Sequence, residues 1–186
     1  MMRTPGLLIA AAIVFLSSIG GSMGQTMLID DFRSKPEQRW RFFADTVMGG
    51  ISSGNVEFKT TDGVAHARLT GDVSTANNGG FIQIRRELET APSGEIEGVR
   101  LVVRGNNQRY FVHLRTSWTV LPWQYYQAPY DVSSDWQEVS IPLSSFERSG
   151  KLLKKVPTAS SIKSVAIVAF GRDHAADVEV REIGFY

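Results

Sequence analysis

The chain contains no cysteine. Disulfide cross-links, thiolate nucleophiles, thiolate metal ligands and lipid attachment through a cysteine are therefore excluded, and stability must come from packing alone. Charge of one sign is also missing in excess: 20 basic and 19 acidic side chains leave a formal net charge of +1. No basic stripe stands out to neutralise a row of phosphates, which argues against nucleic acid as the main partner. Helical periodicity is almost absent after residue 26, and with it the helices that a parallel α/β fold needs between its strands. Long apolar runs are missing too, apart from one at residues 7–16.

That run follows Arg3 and precedes the small residues Ser22 and Gly24, the order of a secretory signal with cleavage before Gln25. Residues 1–24 are thus expected to be a signal peptide. The mature chain is expected to be exported, to the periplasm or beyond, with no stable membrane insertion after cleavage. The alternative is an uncleaved anchor, but the charge-free window 4–23 is only marginally long enough to span, and its second half is Ser and Gly. The mature chain, residues 25–186, has the length and composition of one domain.

Within it, short runs of β-formers alternate with Gly, Asn, Asp, Ser and Pro. Strands are predicted at 27–32, 40–43, 56–59, 64–69, 81–86, 99–104, 110–115, 136–141, 165–170 and 178–186. Thr61-Asp62-Gly63 lies between two of them, and Asp-Gly at such a place predicts a hairpin with Ala65, Ala67 and Leu69 on one face. Gly105-Asn106-Asn107 is a second turn. Many short strands with turn chemistry between them predict an all-β, two-sheet antiparallel sandwich of jelly-roll type. Trp40, Trp136 and Phe81 are assigned to its interior.

Two tight sites stand out: Asp45-Thr46-Val47-Met48-Gly49-Gly50-Ile51-Ser52 and Asn77-Asn78-Gly79-Gly80-Phe81. Paired glycines permit positive φ or a backbone approach that a Cβ would block. The two sites are expected to pack together at one end of the sheets.

These runs, with Arg85, Tyr110, Tyr126-Gln127-Ala128, Trp136, Ile141-Pro142 and Phe146 in the same order, resemble the complex I intermediate-associated protein 30 family. The resemblance covers most of the mature chain. It implies a galactose-binding-domain-like jelly roll without catalytic chemistry and a role in assembling a membrane complex. The motif residues it points to are Asp45, Met48, Gly49, Gly50, Ser52, Asn78, Gly79, Gly80 and Phe81.

Catalytic patterns are weak by comparison. Gly50-Ile51-Ser52-Ser53-Gly54 matches G-x-S-x-G, but that motif requires a helix after the serine, and Asn55-Val56-Glu57-Phe58 reads as a strand. His66, His113 and His174 show no metal-ligand spacing; His66 and His113 are expected to face solvent or a groove. Asp30-Asp31 and Asp173 with Asp177 would meet if the termini do, offering oxygen ligands for a structural calcium. Ordinary turn and edge acids are the simpler reading, so no metal and no cofactor is expected.

The remaining candidate is an aromatic and polar group: Trp118, Trp123 and Tyr125 with Arg85, Arg115 and Gln124. Such rings stack on sugars while Arg and Gln bond to hydroxyls, and the same set makes protein hot spots. Trp118 and Trp123, beside Pro122, fit either that surface or the sandwich core. The sequence thus predicts a non-catalytic exported binding protein. A protein partner or membrane-complex subunit is favoured over a glycan, and a hydrolase comes last. The glycine-pair loops and the aromatic loop are expected to share one contact surface.

Overall fold

The computed structural model describes residues 26–186; the predicted signal segment lies outside the described residues. The strands are β1 (Met27–Asp30), β2 (Trp40–Ala44), β3 (Ser53–Thr61), β4 (Val64–Val73), β5 (Phe81–Glu87), β6 (Gly98–Gly105), β7 (Arg109–Thr116), β8 (Tyr126–Asp131), β9 (Gln137–Pro142), β10 (Glu147–Arg148), β11 (Ile162–Phe170) and β12 (His174–Phe185). They form two antiparallel sheets. The first runs β3-β4-β12-β6-β9 with β1 also on β12, and the second runs β10-β8-β7-β11-β5-β2. The molecule is an all-β jelly-roll sandwich.

Alternation builds its interior. Leu69, Leu101, Val103, Val178 and Ile183 of the first sheet face Ile82, Ile84, Val112, Leu114 and Ile167 of the second, and all are almost fully buried. Each such side chain removed from water contributes roughly 1.5–3 kcal/mol. The β3–β4 hairpin turns on Asp62 (φ 53°) and Gly63 (φ 77°), the pair of positive φ values that a two-residue hairpin with the right twist requires. Ala65, Ala67 and Leu69 all point inward.

Four expectations change. The first strand stops at Asp30, two residues early, because the Asp30 carboxylate accepts the Phe32 N–H at 2.9 Å and Phe32 turns to φ 59°. That buried carboxylate also accepts from the Trp40 indole at 2.8 Å, Arg39 at 2.8 Å and Arg86 at 2.6 Å. Burial alone would raise its pKa, but the bonds from Arg39, Phe32 and Trp40 and the Arg86 charge outweigh that and hold it low. Trp40 is accordingly in the core, whereas Trp136 and Phe81 are only half-buried. Trp136 precedes β9, and the guanidinium groups of Arg104 and Arg181 lie 4.7 and 5.3 Å from its ring.

His66 and His113 are both buried rather than facing solvent. His66 stands on the outer face of the first sheet, covered by the Trp136 ring at 6.0 Å, with Glu179 3.4 Å from Nε2. Finally, β8 forms at Tyr126–Asp131, where no strand is predicted. Pro129 fits there because β10 pairs with β8 only at Tyr126 and Gln127, so no ladder bond is asked of the proline nitrogen.

Candidate functional site

The centre of the Asp45–Ser52 run is the Asp45 carboxylate, which has no solvent exposure. Oδ1 accepts the Ser52 N–H at 3.0 Å, and Oδ2 accepts the Ser52 hydroxyl at 2.5 Å, the Gly80 N–H at 2.5 Å and the Phe81 N–H at 3.2 Å. One side chain therefore joins the loop after β2, the start of β3 and the start of β5. Burial by itself would push its pKa up; the Ser52 hydroxyl and the N–H groups of Gly80, Phe81 and Ser52 outweigh that and hold it below the usual carboxylate value.

The glycines make room for it. A Cβ on Gly50 would stand 2.3 Å from Asp45 Cγ, and one on Gly79 would stand 2.4 Å from Oδ2. The other member of each pair, Gly49 (φ 90°) and Gly80 (φ 129°), supplies the positive φ that turns the chain around the carboxylate. Asn78, also at positive φ, lies in the single turn before Gly79.

Ser52 is fully engaged: besides donating to Asp45, its hydroxyl accepts the Ser74 N–H at 2.9 Å, and β3 follows directly. The G-x-S-x-G match is thus a buried bracing serine without the strand-to-helix turn of a nucleophile. Three of the aspartates considered as oxygen ligands are each engaged elsewhere. Asp30 is held by arginines, Asp173 accepts from Thr75 at 2.7 Å, and Asp177 pairs with Arg68 at 2.8 Å.

The remainder of the run points outward. Val47 (73% exposed), Met48 and Ile51 present apolar side chains to solvent on the same loop.

A second surface is the outer face of the second sheet. Its middle row takes Arg41, Arg85, Ala166, His113 and Gln127 from five adjacent strands in register. Tyr125 stacks flat on His113 at 4.2 Å, and Phe170 stands edge-on to His113 at 5.5 Å. Burial pushes the His113 imidazole down to about 3, and its Nε2 has no hydrogen-bond partner, nor has Oε1 of Gln127 in the facing position. Arg85 lies 4.4 Å from the Phe43 ring and pairs with Glu87 at 3.1 Å.

The aromatic candidates divide three ways. Tyr125, Arg85 and Arg115 reach this outer face. Trp118 and Trp123 are exposed on the loop that follows β7, not in the core. Gln124 is buried within that loop, its Oε1 accepting the Leu121 N–H at 3.0 Å. Arg115 fastens the loop from beneath, donating to the carbonyls of Thr119 (3.0 Å) and Leu121 (3.1 Å).

The strand register also separates what the sequence grouped. Phe81 pairs with Phe170 at one end of the second sheet, while Glu87, Ser164 and Arg115 align at the other, where the aromatic loop begins. The glycine-pair loops and the aromatic loop therefore occupy opposite ends and do not form one contact surface.

Residues 30–180 match the family model for complex I intermediate-associated protein 30. The chain belongs to that family. No curated protein matches its sequence. Among solved structures it is similar to the family 11 carbohydrate-binding module from Clostridium thermocellum in complex with a β-1,3-1,4-mixed-linked tetrasaccharide, with a TM-score of 0.70 and 13% identity, covering 86% of this chain and 94% of that one. The same module of the cellulosomal cellulase Lic26A-Cel5E gives a TM-score of 0.71 at 14% identity, over 87% and 94% of the two chains. A family 30 carbohydrate-binding module is more distant, with a TM-score of 0.52 at 16% identity over 72% and 83%. At these identities the likeness is one of fold, an antiparallel two-sheet jelly roll.

In this family member, sequence reasoning found the Asp45 loops, but it named His113 and Gln127 separately and missed Arg41, so it did not assemble the row. No motif joins the three. The signal that was available is alternation: once Val112 and Leu114 face inward, Phe111, His113 and Arg115 must share the other face.

Proposed function

We propose that the protein is a non-catalytic docking protein that holds a protein partner, of the membrane-complex kind its family name indicates, through the apolar half of the Asp45–Ser52 run. The observation that carries this reading is the division of labour in that run. Asp45, Gly50 and Ser52 are consumed in bracing three chain segments, while Val47, Met48 and Ile51 are left in solvent on the loop so braced. A rigid loop presenting exposed apolar side chains loses little entropy on docking, which is how a small anchor cluster comes to dominate an interface.

The test is a photo-crosslinking amino acid placed in turn at positions 47, 48 and 51, with position 62 in the β3–β4 turn as control. Docking through this loop yields the same membrane-complex subunit from all three positions and nothing from the control. Crosslinks no different from the control would sink it.

A second reading, glycan binding, is favoured by the outer face of the second sheet. There a tyrosine on a buried histidine, two arginines and an unpartnered amide oxygen give both a stacking surface and groups for hydroxyls. The fold shared with modules that bind oligosaccharides supports it. Titration with a β-1,3-1,4-linked tetrasaccharide, followed by intrinsic fluorescence, distinguishes the two. Saturable binding abolished by Tyr125→Ala with crosslinks absent at 47, 48 and 51 favours the glycan.

A further inference from the structure

We infer that the end of the sandwich opposite the Asp45 loop docks on an anionic membrane surface. Ten large apolar side chains are exposed among the described residues, and six of them lie on two neighbouring loops: Trp118, Val120, Leu121 and Trp123 after β7, and Leu152 and Val156 after β10. The loops are fastened to each other. Ser149 donates its N–H to the Tyr125 carbonyl (2.9 Å) and its hydroxyl to the Trp123 carbonyl (3.0 Å), and the Ser117 N–H reaches the Ser161 carbonyl (2.8 Å). With Arg115 bonded to Thr119 and Leu121 from below, the tips are presented in a fixed arrangement.

Their charge selects the partner. Residues 117–130 carry no charged side chain, and residues 148–163 carry Arg148, Lys151, Lys154, Lys155 and Lys163 with no Asp or Glu. Lys151, Lys154 and Lys155 are exposed, and the Lys154 ammonium lies 5.3 Å from the Trp118 ring. Apolar tips ringed by lysines match a bilayer. Tryptophan settles at the headgroup level, lysine stems lie along apolar surface with the ammonium at the phosphates, and the basic ring is drawn to anionic lipid. A protein partner is the poorer match, because lysine is depleted at such interfaces and here three exposed lysines ring the apolar tips. Docked this way, the protein turns the Val47–Met48–Ile51 loop away from the bilayer, free for a partner.

Tryptophan fluorescence of the full-length Trp136→Phe variant with vesicles carrying brominated acyl chains tests this, since residues 1–25 contain no tryptophan, Trp40 is buried and the loop after β7 then holds the other two. The expected result is quenching and a blue shift on vesicles of phosphatidylglycerol and phosphatidylcholine, weakened by salt, and at least tenfold weaker binding for Val120→Asp/Leu152→Asp. Lys154→Glu/Lys155→Glu should lose the preference for phosphatidylglycerol while keeping the melting temperature. Binding to the vesicles without quenching would place the contact elsewhere in the chain and overturn the inference. So would equal quenching on purely zwitterionic vesicles, or crosslinks from position 123 to a protein with no quenching.

Discussion

At the scale of single residues, Asp45 ties three chain segments together through one buried carboxylate. Asp45→Asn keeps the size but loses the charge that four hydrogen bonds address, and two polar hydrogens then face donors. Urea unfolding at neutral pH should show a loss of about 2–4 kcal/mol. Because the folded carboxyl titrates below its unfolded value, its contribution is complete above about pH 4 and fades as the pH falls through the folded pKa. The difference between wild type and variant should therefore shrink in acid; a constant difference down to the lowest pH would contradict the assignment. His113 works over a different window. It stays neutral in the fold down to about 3 while the unfolded chain takes up a proton below about 6.5, so stability should fall as pH drops between those values. The limiting slope is about 1.4 kcal/mol per pH unit. His113→Phe keeps the stack with Tyr125 and should flatten that segment of the curve, whereas parallel curves would show that His113 is not the group responsible. Neither role was legible beforehand. An aspartate beginning a turn and a histidine on a strand look the same in sequence whether buried or exposed, because burial is decided by distant segments: Gly80 for one, Tyr125 for the other.

At the scale of elements, alternation and turn residues carried most of the information. The β3–β4 hairpin, the inward faces of β5, β6 and β7 and the pairing of the two glycine sites all come from period-two patterning and from Asp-Gly or Gly-Gly. Where elements were mistaken, a tertiary contact intervened. β1 ends where Asp30 turns inward, and β8 persists through Pro129 because its neighbour is two residues long. Gly49→Val and Gly80→Val each place a β-branched residue at positive φ and should lower stability by about 1–3 kcal/mol, seen as lower melting temperatures. Unchanged melting would show that the loop adopts another path. Arg115→Ala should behave differently. The core strand remains, but loop 117–125 loses its two bonds from below, so hydrogen exchange should quicken in that loop while global stability changes by under about 1 kcal/mol.

At the scale of the molecule, the two sheets hold three surfaces apart: an apolar braced loop at one end, an aromatic and basic tip at the other, and a polar aromatic face between them. The sequence contained the residues of all three. It could not assign them to ends, because only strand register places Phe81 beside Phe170 and Glu87 beside Ser164. The claim on which the functional account rests is that the Asp45–Ser52 run has one half for structure and one for docking. Met48→Asp separates the halves most directly, measured for melting temperature and for partner capture by a crosslinker at position 51 in the same preparation. The account predicts an unchanged melting temperature and a lost crosslink; a melting temperature lowered as far as in Asp45→Asn, or a crosslink that persists, would contradict it.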